Sequence, residues 1–263
     1  MLKLQNLSKT FNPGTPIENT VLKNLSLQVK EKDFISLLGS NGAGKSTLLH
    51  LIAGTYEADG GLILLDGQDI TYEKAHVRAK LLGRVHQDPR LSVSPSMTLL
   101  ENLSLADAKG ESFSLKKAVD IKRISYYKEQ LASLGLGLES KLHTKIGLLS
   151  GGQRQAVALF MAVMKKPKLL LLDEHTAALD PRTSELIMKV TESLIQKEGI
   201  TTLMVTHNMN HALAYGNRLV MMHEGEIVED LSLEEKAALS TKDLIALFQK
   251  NAHSVEDRMV LQV

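Results

Sequence analysis

Apolar and polar residues alternate at the start of the chain and later give way to blocks that are almost wholly apolar. The segments 2–11 and 21–30 alternate with a period of two, which is typical of strands buried on one face. The segments 34–38, 169–172 and 201–206 are largely apolar, which is typical of strands covered on both faces. Helical segments separate the later strands. The pattern therefore predicts an α/β protein with a mostly parallel core sheet and an N-terminal antiparallel β layer.

The middle of the chain has a different character. Apolar residues recur at helical spacing over 116–134, in a part of the chain that is polar on balance. We expect a helical insertion between two α/β portions. The prediction is a single domain over 1–263, with 1–88 and 165–263 forming the α/β core and 89–164 forming a helical subdomain.

Shorter elements are predicted from capping and turn residues. Thr71 is placed to cap a helix that runs to about Leu82. The segment 224–226, Glu-Gly-Glu, has the composition of a hairpin turn. Two short helices, over about 233–239 and 241–250, are expected to end the fold.

Composition narrows the classes of function. The formal net charge of the 263 residues is +1, so the bulk charge does not indicate nucleic acid or an anionic membrane as a partner. The chain has no Cys, which excludes a disulfide framework and thiol catalysis. No apolar run approaches the roughly 20 residues of a membrane span, and the N-terminus has no signal-peptide core. We expect a cytosolic chain that reaches a membrane only through a partner.

One glycine-rich stretch carries the strongest chemical signal. It matches the pattern G-x-x-x-x-G-K-S, after the apolar strand over 34–38 and before a predicted helix, as in a phosphate-binding loop. Glycines let backbone N–H groups approach a polyphosphate, and the helix directs its positive end at the same anion. Lys45 would reach the outer phosphates and the Ser46 hydroxyl would help to hold Mg²⁺. The alternative is a glycine-rich turn without a ligand. The predicted phosphate-binding residues are Gly39, Ser40, Asn41, Gly42, Ala43, Gly44, Lys45, Ser46 and Thr47.

A second constellation of polar residues ends the apolar strand over 169–172. Asp173 is placed to bind Mg²⁺ directly or through water. Glu174 is one residue further on, is expected to face the other side of the strand, and can approach an attacking water. The alternative is a buried strand that ends in two solvated acids.

The segment 149–155, Leu-Ser-Gly-Gly-Gln-Arg-Gln, precedes a predicted helix. Ser150 and Gln153 have the spacing of a capping box, and a helix N-terminus with two glycines can also bind an anion. The segment resembles the signature motif of the ATP-binding-cassette (ABC) ATPases. The order of phosphate loop, signature and Asp-Glu strand also matches that family, over nearly the whole chain. The resemblance implies nucleotide contacts from Ser150, Gly151, Gly152 and Gln153.

Four more residues match motifs of that family. Phe11 resembles the aromatic residue that stacks on adenine, and the alternative is a core aromatic at a strand end. Gln87 resembles the glutamine that joins Mg²⁺ and the water to the helical insertion. His207 resembles the switch histidine that contacts the γ-phosphate, although a lone His at a strand end is often without function. Asp180 ends a segment that resembles the D-loop, and the alternative is a simple helix cap.

Two residues depart from the family pattern. His175 stands where a Pro usually follows the catalytic Glu, and Ala177 stands where the D-loop usually begins with Ser. The stretch that contains them is similar to a subgroup of bacterial importer ATPases associated with amino-acid uptake. We interpret His175 as a tolerated loop residue, with a catalytic role as the alternative.

The resemblance implies that the chain is the ATP-binding and ATP-hydrolysing subunit of an ABC transporter, of the bacterial importer type. It implies a second copy of the chain as an ATP-dependent partner, a polytopic membrane permease that contacts residues 87–103, and indirectly a substrate-binding protein. The location implied is the cytoplasmic face of the membrane. The alternative is a soluble non-transport ABC ATPase, for example one that serves iron–sulfur cluster assembly.

The roles implied for single residues follow from the same resemblance. ATP and Mg²⁺ are the implied cofactors, and no nucleic acid is implied. The catalytic residues would be Glu174, His207, Lys45 and Gln87. The Mg²⁺ ligands would be Ser46, Gln87 and Asp173.

Overall fold

The computed structural model describes residues 1–111 and 119–260, the last ten of them through their backbone alone. In chain order the strands are β1 (Leu2–Phe11), β2 (Asn19–Val29), β3 (Phe34–Gly39), β4 (Gly60–Leu65), β5 (Gln68–Asp69), β6 (Leu82–Val85), β7 (Leu169–Asp173), β8 (Thr201–Thr206), β9 (Arg218–His223) and β10 (Glu226–Leu231). The α-helices are α1 (Lys45–Ala53), α2 (Ala75–Arg78), α3 (Leu99–Asp107), α4 (Ile124–Ala132), α5 (Gly151–Val163), α6 (Pro181–Glu198), α7 (Met209–Ala214), α8 (Leu233–Ala237) and α9 (Thr241–Val260).

The chain divides into two compact units. The first combines Met1–Ala79 with Thr201–Val263, and the second is Lys80–Ile200. The helical subdomain predicted over 89–164 has different limits from the second unit, and it remains a prediction.

The first unit contains the predicted antiparallel layer. Strands β2, β1, β4 and β5 lie in that order, and β1 pairs with both β2 and β4 in antiparallel register. In β1 the buried residues are Leu2, Leu4 and Leu7: the alternation shifts by one residue before Leu7, where Asn6 has a φ of 49° and the pairing register with β2 changes. The period-two pattern of the sequence is therefore confirmed as a sheet with one buried face.

The first unit also contains a mostly parallel group of strands. β3 pairs in parallel with β8 on one side and with β9 on the other, and β10 pairs antiparallel with β9. Every residue of β3 and β8 is buried, which explains why these segments lack alternation. A two-residue turn, Glu224-Gly225, joins β9 to β10, with φ values of 44° and 82°, as the sequence predicted.

The second unit consists of helices and one parallel strand pair. β6 and β7 form a parallel pair in which Leu82 lies opposite Leu169. The helix predicted over 116–134 is shorter, because Asp120 caps a single 3₁₀ turn through Lys122 N–H (3.0 Å) and α4 begins only at Ile124. The start of that predicted helix, 116–118, lies outside the described residues.

Two other helices differ from the prediction. Thr71 caps no helix: its hydroxyl accepts from Ile63 N–H (2.8 Å) and donates to Asp69 Oδ1 (2.5 Å), so it closes the turn after β5. The helix α2 begins at Ala75 and ends at Arg78, well before Leu82. The helix α9 continues past residue 250, since no Gly or Pro interrupts it. In the part of the chain that the structure describes, none of the helices combines the length and apolar character of a membrane span.

Arg78 stabilises the end of α1. Its guanidinium is buried and donates to the carbonyl oxygens of Leu51 (2.6 Å) and Ile52 (3.0 Å), in the last turn of α1. It also donates to the carbonyls of Thr71 (2.7 Å) and Glu73 (2.8 Å). A cation at a helix C-terminus satisfies carbonyls that lack intrahelical partners and interacts favourably with the helix dipole. Burial lowers the pKa of Arg78, but a guanidinium stays charged at neutral pH.

Replacement of Arg78 tests this role. Arg78→Met keeps an unbranched apolar stem but leaves four carbonyls without their donor, so we expect a loss of about 3 kcal/mol or more in the free energy of unfolding. The change in the free energy of unfolding is measured by urea titration monitored by circular dichroism. Arg182→Met, on the exposed surface of α6, is the matched control and should change stability by less than about 0.5 kcal/mol. Equal effects of the two changes would show that the bonds of Arg78 contribute little.

Candidate nucleotide-binding and hydrolysis site

The predicted phosphate loop connects β3 to α1 in the first unit. β3 ends at Gly39 and α1 begins at Lys45, with Gly44 as the residue that caps it. No side chain caps this helix and its first turn contains no acidic residue. An uncapped helix N-terminus without a carboxylate presents backbone N–H groups and a positive dipole end, which suits a phosphate.

Gly44 explains why the loop needs glycine. Its φ is 95°, a left-handed conformation that side chains disfavour, and a Cβ there would lie 2.7 Å from Leu22 Cδ2 and 3.0 Å from the Val21 carbonyl oxygen. The preceding residue is also held, because Gly225 N–H donates to the Ala43 carbonyl (3.2 Å). The loop is therefore fixed from two sides, by β2 and by the turn between β9 and β10.

Lys45 lies with its side chain folded along the loop. Its ammonium group donates to the carbonyl oxygens of Gly39 and Ser40, both at 2.8 Å, and the residue is only 5% exposed. These bonds hold a buried cation against the segment that is predicted to bind phosphate. The neighbouring Ser46 is exposed in the first turn of α1, as a hydroxyl ligand for an ion or a phosphate must be.

Phe11 ends β1 beside two aromatic residues that the sequence did not single out. Its ring meets that of Tyr56 edge to face (5.4 Å between centroids, 80° between planes), and Lys9 Nζ lies 5.6 Å from its centroid. Tyr56 in turn stacks on His50 of α1 (4.7 Å). The ring of Phe11 is therefore oriented by neighbours of its own unit. The low aromatic content of the chain, 4%, was the signal that could have drawn attention to Tyr56.

His207 follows β8 in the first unit and is exposed. The next residue, Asn208, turns the chain, since its N–H donates to Thr206 Oγ1 (3.0 Å) and its side chain accepts from His211 N–H (3.1 Å) to cap α7. His207 thus sits at a fixed point where a strand ends, as predicted.

In the second unit the ends of β6 and β7 bring Gln87 and Glu174 together. Asp173 is the last residue of β7 and is 8% exposed. Glu174 has a φ of 45°, and its Oε2 accepts a hydrogen bond from Gln87 Nε2 (3.3 Å). Parallel neighbouring strands carry their C-terminal residues to the same edge, which explains the contact. The contact of Gln87 with Glu174 itself was not predicted.

His175 lies in the loop between β7 and α6 and is buried, with 3% of its area exposed. Its Nε2 lies 3.1 Å from the hydroxyl oxygen of Thr191 on α6. That hydroxyl donates to the Ile187 carbonyl (2.8 Å), so the histidine Nε2–H is the donor. His175 therefore attaches the residue after Glu174 to α6.

The signature segment begins α5 with the predicted capping box. Ser150 Oγ accepts from Gln153 N–H (3.2 Å), and Gln153 Oε1 accepts from Ser150 N–H (3.2 Å). Gln153 also donates to the Leu136 carbonyl (3.1 Å) and accepts from Lys141 Nζ (3.3 Å). The sequence could not show these last two bonds, because both partners are distant in the chain.

The segment that resembles a D-loop ends at a helix cap. Asp180 accepts from Thr183 N–H (3.1 Å) and Pro181 is the first residue of α6, as the alternative interpretation of this segment predicted. Hydrogen bonds from Thr183 hold the pKa of the Asp180 carboxyl below its usual range.

Ser46, Gln87 and Asp173 each carry an oxygen atom of the kind that Mg²⁺ prefers as a ligand. The Ser46 hydroxyl belongs to the first unit, and the Gln87 and Asp173 side chains belong to the second. Across residues 1–111 and 119–260, no group of three His, Cys, Asp or Glu side chains is arranged to hold a metal.

The chain matches a known protein family and resembles proteins of known name. Residues 22–177 match the family model described as ABC transporter. The chain is 46% identical to the Tyrosine transport ATP-binding protein of Clostridioides difficile (strain R20291), over 95% of this chain and 99% of that protein. It is 36% identical to the Spermidine/putrescine import ATP-binding protein PotA of Mannheimia succiniciproducens, over 89% of this chain, but it spans only 58% of that protein.

A solved structure is similar to this chain over most of its length. The dimeric post-hydrolysis state of the ATP-binding cassette MJ0796, bound to ADP and Pi, aligns with a TM-score of 0.73 and 31% identity, over 89% of this chain and 99% of that one. The fold and its phosphate loop define a P-loop nucleotide hydrolase. The chain belongs to the ABC transporter family and is an ATP-binding ATPase.

The packing of α5 against α6 can be tested by substitution of Gly152. A Cβ at this residue would overlap Thr183 Cγ2 on α6, whereas one at Gly151 would meet Leu179 at an ordinary 3.4 Å. We expect Gly152→Ala to destabilise the protein by about 1–3 kcal/mol through overpacking. Gly151→Ala, the control, should be near neutral.

In the Gly152→Ala variant, the second change Thr183→Ser removes the methyl group that the new Cβ would overlap and keeps the hydroxyl. It should recover most of the loss caused by Gly152→Ala, measured as a thermal midpoint. If it recovers none, the contact with Thr183 is not the cause.

Proposed function

We propose that the chain is the ATP-hydrolysing subunit of an importer of amino acids, and that ATP-driven pairing of two chains acts on a membrane permease. The observation that carries this proposal is the 46% identity with a protein named for tyrosine transport, over nearly the full length of both chains. The stretch from Asp173 to Pro181, which includes His175 and Ala177, supports the same subgroup.

The first unit would bind the nucleotide. Backbone N–H groups of the loop and of the first turn of α1 would surround the β- and γ-phosphates, and Lys45 would exchange its carbonyl acceptors for phosphate oxygens. Phe11 would stack on adenine with the ring that Tyr56 orients. His207 would stabilise charge at the γ-phosphate.

The second unit would supply the base. Glu174 would accept the proton of the attacking water, and the hydrogen bond from Gln87 would hold the carboxylate in place. Mg²⁺ bound by Ser46, Gln87 and Asp173 would neutralise charge on the phosphates. His175, whose Nε2–H is bonded to Thr191, would support the local backbone rather than the chemistry.

Two chains would be needed because the signature motif of one chain would face the nucleotide of the other. Support comes from the dimeric state of the related cassette bound to ADP and Pi. The capping box occupies one N–H in the first turn of α5, that of Gln153, and the N–H groups of Gly151 and Gly152 would be the ones directed at a phosphate.

The permease would contact the surface around Gln87 to Leu103. Leu91, in a 3₁₀ turn within it, is 70% exposed, and the neighbouring Pro95 is also exposed, so the surface offers apolar area to a partner. The chain would then lie on the cytoplasmic face of the membrane. A substrate-binding protein would act on the permease, and cargo would be selected by those other subunits.

The assignment of Glu174 as the general base can be tested by substitutions at two adjacent residues. Glu174→Gln keeps the size and the bond from Gln87 but removes the proton acceptor, so ATP hydrolysis should fall by at least 100-fold, in line with the loss of a general base. ATP should still bind. His175→Ala, the neighbouring control, should leave at least a third of the activity. Equal losses in steady-state hydrolysis would show that the base is assigned wrongly.

The two-chain site can be tested by complementation. Ser150→Arg places a bulky cation at the signature, so it should abolish turnover and leave ATP affinity within a few-fold. Lys45→Ala should also be inactive, because it removes a phosphate ligand. A mixture of the two inactive variants should regain part of the activity, since a mixed dimer has one intact composite site.

The control for this experiment is each variant alone at the same total concentration, with thermal midpoints to show that both are folded. A mixture that stays as inactive as its components contradicts a site shared between chains.

A further inference from the structure

A cavity of about 270 Å³ lies within the second unit, beside the start of α5. It is bordered by the segment after β6, the first two turns of α5 and the segment between β7 and α6. Its lining residues are Gln87, Asp88, Pro89, Arg90, Gly151, Arg154, Gln155, His175, Ala178 and Leu179. Nothing in the proposed function uses Arg154 or Gln155.

Gln155 is the notable member of this lining. The residue is 1% exposed, and within the described ranges its side-chain Nε2 has no hydrogen-bond partner. A buried amide without a partner costs free energy, because it has lost its water and gained nothing in return. Gln153, two residues earlier, differs: its side chain bonds to Leu136, Ser150 and Lys141. Because the residue that carries this buried donor lines the cavity, it points to a ligand that accepts hydrogen bonds.

The charges of the cavity favour an anion. Arg90 and Asp88 form a pair at 2.8 Å, and the bonds from Arg90 hold the pKa of the Asp88 carboxyl below its usual range. Arg154 is a second guanidinium whose charge also lowers the pKa of the Asp88 carboxyl, so the lining contains two guanidinium groups and one carboxylate. Among the described residues, the buried Nε of Arg154 has no hydrogen-bond partner. Gly151 begins α5, so the positive end of a 13-residue helix borders the same space.

We propose that this cavity binds a small oxyanion, a phosphate or a small carboxylate, through the Gln155 amide and the Arg154 guanidinium. Guanidinium and amide N–H groups are the donors that oxyanions accept best. These donors lie one turn further along α5 than Ser150, which is proposed to face the nucleotide of a second chain. An ATPase releases inorganic phosphate, so one source of the anion is the protein's own product.

The side-chain amide of Gln155 gives a direct readout. In ¹⁵N-labelled full-length protein without nucleotide, the Gln155 Nε2–H₂ resonances are identified by their loss in Gln155→Leu. We expect them to shift and saturate as inorganic phosphate is added, while the Gln153 side-chain resonances stay in place. The titration is carried out in the Lys45→Ala background as well, which removes a phosphate ligand from the loop but leaves this cavity unchanged.

Arg154→Met is the second variant, and it should weaken the fitted phosphate affinity at least five-fold. A parallel titration with acetate separates the sources: a response to both anions means a general oxyanion site, and a response to one identifies its class. If the Gln155 resonances respond to neither anion, or if Lys45→Ala abolishes the response and Arg154→Met does not, the proposal is wrong.

Discussion

Gly44 has a left-handed backbone conformation and neighbours that leave no room for a side chain, and the predicted phosphate loop of the first unit depends on it. Within the loop the Ala43 N–H donates to the Ser40 carbonyl (3.2 Å), but N–H groups that are to bind phosphate cannot also stabilise the loop, so its neighbours contribute. Leu22 and Val21 of β2 close on Gly44, and Gly225 holds the Ala43 carbonyl. The N-terminal antiparallel layer is thus a support for the phosphate loop as well as a separate sheet.

The helix that begins at Lys45 is also stabilised away from its predicted phosphate-binding end. Its N-terminus is left open for an anion, and its C-terminus is satisfied by Arg78, whose guanidinium binds two carbonyls of the last turn. In the second unit, α5 begins with the capping box of Ser150, and His175 attaches the segment after Glu174 to α6. In both units, side chains outside the proposed site fix the backbone segments that are proposed to form it.

Local pattern and capping chemistry predicted most of the fold. Alternation identified β1 and β2, apolar runs identified the buried strands, and the caps at Ser150 and Asp180 are as predicted. Thr71 was misjudged because a hydroxyl can stabilise a turn as well as a helix, and spacing alone does not distinguish the two.

The parts of the site that sequence reasoning missed are contacts between distant segments. Tyr56 against Phe11, Gln87 against Glu174 and His175 against Thr191 each join residues far apart in the chain. Periodicity carries no information on such pairs. The motifs place the residues at strand ends, and only the packing of the strands shows which of them meet.

The central claim is that hydrolysis needs two chains, and the rate per chain against protein concentration tests it most directly. The wild-type rate should rise with concentration and level off as dimers become saturated. Size-exclusion chromatography of Glu174→Gln should show a dimer with ATP and a monomer without it. A rate per chain that stays constant down to the lowest measurable concentration, from a species that always elutes as a monomer, would contradict the account.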